Sequence, residues 1–96
     1  MSATLRWGIL GAAHIAARRV IPAMAASPRH TVAAVASRDP LRAREFARRF
    51  GIPRVYEGYD ALLADPEVDA VYNPLPNALH RRWTERAAAA GKHVLC

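Results

Sequence analysis

The sequence is short of cysteine and lysine. Cys96, the last residue, is the one cysteine, so the chain can form neither a disulfide framework nor a cysteine-rich metal site. The four histidines, His14, His30, His80 and His93, are far apart and offer no metal-ligand pair. No apolar run approaches the roughly 18 residues needed to span a bilayer, which argues against a membrane role. The opening residues, Met1 to Arg6, are too short and polar for a signal peptide, so a reduced, cytoplasmic setting is expected. Aromatic residues are 7% of the chain, and no stripe of them accompanies the basic residues as a single-strand nucleic-acid binder requires.

What is present fits one small domain or part of a larger one, at 96 residues. The hydrophobic share, 52%, lies well above that of disordered chains. Much of it is alanine, which favours helix but adds little buried area. The net charge is +6, carried almost entirely by arginine, with Lys92 the only lysine. Such a balance suits nucleic acid, an anionic surface or a phosphorylated small molecule. Arg42, Arg44, Arg48 and Arg49 are scattered through one predicted helix with Glu45 among them, which reads as a solvated face. A nucleic-acid partner therefore ranks last.

Strands and helices alternate along the chain. Leu5 to Leu10 is a short apolar run interrupted by Gly11, as in a buried strand. Ala12 to Ala26 reads as a helix that Pro22 should bend or end early. Thr31 to Ala36 is a β-branched apolar run and a second strand. Asp39-Pro40 starts a helix, with Asp39 capping and Pro40 in the first turn. Leu41, Phe46, Ala47 and Phe50 give that helix an apolar side, and Gly51 suits a left-handed stop. Arg54 to Tyr56 is a short third strand. Asp60 is the expected cap of a short helix ending near Ala64. Ala70 to Asn73 is a fourth strand, stopped by Pro74 and Pro76. Asn77 is the expected cap of a helix through Ala90, with Gly91 as its stop, and His93 to Leu95 begins a fifth strand. Strands separated by helices lie parallel, and continuous apolar strands fit a sheet covered on both faces. The expected fold is α/β, a doubly wound parallel sheet.

Two short segments carry chemistry. In Gly8-Ile9-Leu10-Gly11-Ala12-Ala13-His14-Ile15-Ala16 a strand passes through a glycine into a helix. The dinucleotide fingerprint asks for G-x-G-x-x-G/A in that context. Gly11 is the tight-turn glycine, Ala13 holds the second position and Ala16 the third. Ala13 places a methyl where glycine normally lets backbone approach a pyrophosphate. The free N–H groups and the dipole of the following helix favour an anion. The second segment, Ala36-Ser37-Arg38-Asp39, ends the second strand. An acid there would hydrogen-bond the ribose 2′-hydroxyl of NAD, whereas the hydroxyl of Ser37 and the guanidinium of Arg38 suit a 2′-phosphate. NADP is therefore expected over NAD.

Together, Arg6-Trp7-Gly8-Ile9-Leu10-Gly11-Ala12-Ala13-His14-Ile15-Ala16, Ala36-Ser37-Arg38-Asp39, Tyr72-Asn73-Pro74-Leu75-Pro76-Asn77-Ala78-Leu79-His80 and Gly91-Lys92-His93-Val94-Leu95-Cys96 resemble, in order and spacing, the start of the Gfo/Idh/MocA oxidoreductases. Alanine after the first glycine is common in that family. The resemblance implies a Rossmann-like NAD(P)-binding domain, here 1–96 and incomplete at its C-terminal side. It implies hydride transfer between a nicotinamide and a sugar, cyclitol or related alcohol. The family's catalytic lysine belongs to a Glu-Lys-Pro motif that would begin after Cys96, and further catalytic groups belong to a C-terminal substrate domain that is absent, so no catalytic residue is expected in this chain. Carried over, Gly11, Ala12, Ala13, His14 and Ile15 would hold the pyrophosphate, and Ser37 and Arg38 the 2′-phosphate. Leu75, Pro76, Asn77 and His80 would flank the nicotinamide side. The imidazole of His80 has an equal alternative as a helix-start residue bonded to backbone. Trp83 reads as core, and Lys92 should lie at the opposite end of the sheet from the site. A homo-oligomer is compatible with this reading, and so is a free-standing NADP-binding module without chemistry of its own.

Overall fold

In the computed structural model the described residues are 4–12 and 14–95, with the side chains of 14–18 set aside. Ala13, Cys96 and the side chains of His14 and Ile15, all named above, lie outside that description.

Nine elements alternate along the chain: β1 (Leu5–Leu10), α1 (His14–Ala25), β2 (His30–Ala36), α2 (Pro40–Phe50), β3 (Arg54–Tyr56), α3 (Tyr59–Leu63), β4 (Ala70–Tyr72), α4 (Asn77–Ala89) and β5 (His93–Leu95). All strand pairs are parallel, in the order β3-β2-β1-β4-β5. Successive side chains of a strand point to opposite faces, and the core divides accordingly. Leu10, Ala34, Ala36 and Val71 pack with Leu62, Leu63, Trp83 and Ala87 on the α3 and α4 side. Ile9 and Val35 pack with Ile21, Phe46 and Ala47 on the α1 and α2 side. The sheet is thus covered on both faces, as its continuous apolar strands require. Trp83 is buried in the core, as expected.

Gly8 faces α3, and a Cβ there would stand 2.6 Å from Cδ2 of Leu62 and 3.1 Å from Cγ1 of Val68. Its lack of a side chain is what lets the short α3 lie against β1. Opposite it the register of β1 against β2 slips between Trp7 and Gly8, so Ala33 is the extra residue of the pair.

Five local expectations are corrected. Pro22 does not end α1, which runs on to Ala25. Pro22 is exposed, while Ile21 and Met24 on either side are buried, and this anchoring outweighs the lost backbone bond. Leu41 is 69% exposed, and Ala43 joins Phe46 and Ala47 on the buried face in its place. The positions 43, 46, 47 and 50 follow the helical repeat, and residue 41 lies about 200° around from residue 43. Asp60 does not cap α3. Gly58 precedes the helix, and Asp60 sits in its first turn, bonded instead to Arg86. Asn77 does not cap α4 either. Pro76 holds the cap position, its carbonyl accepting the His80 N–H at 2.7 Å. Asp39 does cap α2, its Oδ1 accepting the N–H groups of Leu41 and Arg42, and α2 closes on Gly51 with φ 67°. The fourth strand stops one residue earlier than expected, at Tyr72.

Ion pairs tie the amino ends of the strands. Arg6 forks onto Asp69 through Nε and Nη2, each at 3.0 Å, joining the starts of β1 and β4. Arg54 of β3 donates to Asp65 at 2.8 Å and also bonds Glu67, and the Tyr56 hydroxyl donates to the same Asp65. Lys92 donates to the carbonyls of Asp65 and Val68, at the end of the sheet expected for it. The hydrogen bond from Tyr56, then those from the Glu67 N–H and Arg54, holds the Asp65 carboxyl below the usual range against the effect of its burial. Arg6 does the same for Asp69. A carboxylate whose pKa falls on folding contributes stability that is complete above its unfolded value, about 3.9, and is lost as pH falls below it. Thermal melts should therefore hold level from neutrality down to about pH 5 and drop steeply below about pH 4. Asp65→Asn should lower the melting temperature at pH 7 and make the acid drop shallower.

Candidate functional site

The order of the strands puts a reversal between β1 and β4. β1 connects through α1 to β2 on one side, and β4 lies on the other. A crevice opens at such a point beyond the carboxyl ends of the strands, where ligands of open α/β sheets bind. Three chain segments meet there: the turn after β1, the turn after β2, and the loop after β4.

The first is held by Gly11. Its φ is +91°, which residues with a side chain rarely adopt, and a Cβ would stand 3.2 Å from Cδ2 of Leu75. Its N–H donates to the carbonyl of Ala36 at 2.7 Å. That bond joins the end of β1 to the end of β2 and sets Ser37 and Arg38 beside the glycine turn. Ala12 is buried at the start of the turn. The helix α1 then begins at His14, so its free N–H groups face the crevice end of the sheet.

The second segment is Ser37-Arg38-Asp39. Ser37 is only 6% exposed, and its hydroxyl oxygen accepts the Asp39 N–H at 3.2 Å, leaving the hydroxyl proton free to donate. The Asp39 carboxylate is turned to the first turn of α2. Arg38 is exposed and has no carboxylate partner among the described residues. The end of β2 therefore offers a hydroxyl donor and a free guanidinium, with its one acid engaged elsewhere.

The third segment runs from Asn73 to His80. Asn73, 1% exposed, was read from the sequence only as the end of a strand, and its amide is what shapes this loop. Its Nδ2 donates to the His80 carbonyl and to Oγ1 of Thr84, both at 3.0 Å, and its Oδ1 accepts the Leu75 N–H at 3.2 Å. Three bonds from one side chain fold Pro74, Leu75 and Pro76 back over the sheet, so that Leu75 reaches Gly11. The sequence signal was an amide just before a proline pair, a position where side chain–backbone turns are favoured. His80 lies in the first turn of α4 with its N–H on Pro76 and its carbonyl on Asn73. Asn77 is exposed at the start of α4.

Gly11, Ala12, Ser37, Arg38, Leu75, Pro76, Asn77 and His80 thus come from three separate segments to one end of the sheet. The arrangement suits a phosphorylated dinucleotide. It combines a glycine turn that a Cβ would obstruct, a helix start without acidic residues, and an unpaired cation at the second strand. A five-stranded parallel sheet in this order, with a glycine turn at the reversal, is a dinucleotide-binding Rossmann domain. The chain belongs to the GFO_IDH_MocA group, described as an oxidoreductase family with an NAD-binding Rossmann fold, which matches residues 5–96.

Among its relatives is a dTDP-3,4-didehydro-2,6-dideoxy-alpha-D-glucose 3-reductase of Streptomyces violaceoruber, 60% identical over 95% of this chain and 26% of the relative. D-xylose 1-dehydrogenase (NADP(+)) 2 of Haloferax volcanii is 54% identical over 96% of this chain and 28% of its own length. A crystal structure of a 3-ketoreductase from Actinomadura kijaniata, in complex with NADP and TDP-benzene, superposes with a TM-score of 0.89 at 52% identity, covering 96% of this chain and 28% of that one. The chain spans little more than a quarter of the length of these relatives. No helix among the described residues is long and apolar enough to cross a membrane.

Two substitutions test the geometry. Asn73→Ala leaves three partners unsatisfied in a buried place and should cost about 2–3 kcal/mol in denaturant unfolding, with faster proteolysis at 74–76. Gly11→Ala forces a side chain to positive φ against Leu75 and should cost about 1–2 kcal/mol. Any ligand held at the turn should weaken with it.

Proposed function

We propose that this chain is the nucleotide-binding part of an NADP-dependent oxidoreductase that moves hydride between a nicotinamide and a sugar, cyclitol or related alcohol. The observation that carries the reading is the Gly11-to-Ala36 hydrogen bond. It sets a phosphate-type turn and an acid-free strand end, Ser37-Arg38, side by side. NADP in the solved 3-ketoreductase and NADP(+) in the name of the xylose dehydrogenase support it.

In this reading the backbone of Gly11, Ala12, Ala13, His14 and Ile15 holds the pyrophosphate, where the dipole and free N–H groups of α1 favour negative charge. Ser37 donates its hydroxyl proton to a 2′-phosphate oxygen, and Arg38 supplies a charge-assisted bond. Leu75, Pro76, Asn77 and His80 line the nicotinamide side. The Asn73 network keeps that wall near Gly11 through Leu75. The nicotinamide, when bound, supplies or accepts hydride. The family resemblance assigns catalysis to the lysine of a Glu-Lys-Pro motif, which residues 1–96 do not contain. In this proposal residues 1–96 supply cofactor binding, and catalysis and substrate binding fall to the part of the relatives' length that they do not match. A cytoplasmic setting goes with this proposal, since phosphorylated nicotinamide cofactors are kept inside cells.

Titration calorimetry should find NADPH bound at least about tenfold more tightly than NADH, the size of one charge-assisted contact. Ser37→Asp should reverse that order by setting a carboxylate against the 2′-phosphate. Equal affinity for the two cofactors in the unsubstituted protein would overturn the NADP assignment.

A further inference from the structure

Beside the glycine turn lies a cleft of about 360 Å³, lined by Arg38, Tyr59, Asp60, Leu79, Arg82 and Trp83. Its residues follow the carboxyl ends of three strands. Arg38 follows β2, Tyr59 opens α3 after β3, and Leu79, Arg82 and Trp83 belong to α4 after β4. The Tyr59 hydroxyl lies 4.0 Å from where a Cβ on Gly11 would stand, so the cleft runs on from the turn.

The floor is apolar and firm. Tyr59 and Trp83 meet edge to face with ring centroids 5.0 Å apart. The walls carry two arginines, Arg38 and Arg82, and one acid. Asp60, the acid at the edge, is bonded through both oxygens to Arg86, at 3.1 and 3.2 Å. Arg81, next to Arg82, is paired with Glu85. Arg38 and Arg82, the two arginines lining the cleft, have no carboxylate partner among the described residues. The Arg82 guanidinium lies 5.7 Å from the centroid of the Trp83 ring, which holds it along the wall. The charge of Arg38 reaches the Tyr59 hydroxyl, opposing the upward push of burial on that group. Two unpaired guanidinium groups line the same cleft, where one anion can answer both. A phosphate monoester carries close to two negative charges, and a second cation answers the second charge.

We infer that Arg82, which lines this cleft together with Arg38, is a second specificity-determining residue for the 2′-phosphate. The inference rests on the dinucleotide reading above and adds to it a residue on α4, outside the glycine turn and the strand end. Arg82 accounts for preference between the phosphorylated and unphosphorylated cofactor, and contributes nothing to holding the pyrophosphate.

The test uses the longest natural form of the protein that carries this domain, with NADPH and NADH titrated by fluorescence into the unsubstituted protein, Arg82→Gln and Arg38→Gln. Arg82 is exposed, so folding should survive its replacement, and circular dichroism checks this. Arg82→Gln should weaken NADPH about tenfold and leave NADH within about twofold, the signature of one charge-assisted contact to the extra phosphate. An equal loss for both cofactors would mean that Arg82 touches the shared part of the ligand, and would overturn the inference. No loss for either, with Arg38→Gln still impaired toward NADPH, would overturn the inference alone. If the unsubstituted protein binds neither cofactor, the dinucleotide reading and the inference fall together.

Discussion

The backbone bond from the Gly11 N–H to the Ala36 carbonyl governs the functional end of this domain. A strand turning into a helix needs a reversal, and here the reversal is made by a residue at φ +91°. Glycine tolerates that conformation, and because it has no side chain the loop after β4 can close down on it through Leu75. The same bond fastens the exit of β2 to the exit of β1. The glycine turn and the Ser37-Arg38 segment therefore take their relative position from this one bond.

Around that turn the rest of the structure acts as support. The sheet is buried on both faces, and the close approach of Leu62 to Gly8 sets α3 near the strand that leads to the turn. Asn73 performs for the β4 loop what the glycine bond performs for β2. It spends its amide on backbone and on Thr84, so that a proline-containing segment, which has few N–H groups of its own, still has a defined path. Both devices decide where the candidate groups of the site stand.

Charge is distributed unevenly over the domain. Toward the amino ends of the strands Arg6 is engaged with Asp69, Arg54 with Asp65 and Glu67, and Lys92 with two carbonyls. At the carboxyl ends Arg38 and Arg82 stand without acids, and the nearby acids, Asp39 and Asp60, are committed to a helix start and to Arg86. A net charge of +6 says only that the protein is basic. The pairing of individual residues shows which cations at the carboxyl ends of the strands stand clear of acids.

The sequence alone determined the order of elements, because that order rests on local physics. Alternating and continuous apolar runs mark strands. Asp39-Pro40 starts a helix, Gly51 stops one, and Gly11 turns one strand into a helix. Ser37-Arg38 was legible for the same reason, since it sits at a fixed distance from a recognisable strand. The tertiary structure decided what depends on neighbours distant in sequence. Leu41 went to solvent because the angle between Ala43 and Phe46 set the buried face. Pro22 was tolerated because Ile21 and Met24 were already anchored in the core. Asp60 was drawn from capping to Arg86, twenty-six positions on. The role of Asn73 and the place of Arg82 could not be read in advance. A buried amide and an unpaired cation are defined by which partners are near, and only the folded sheet brings those partners together.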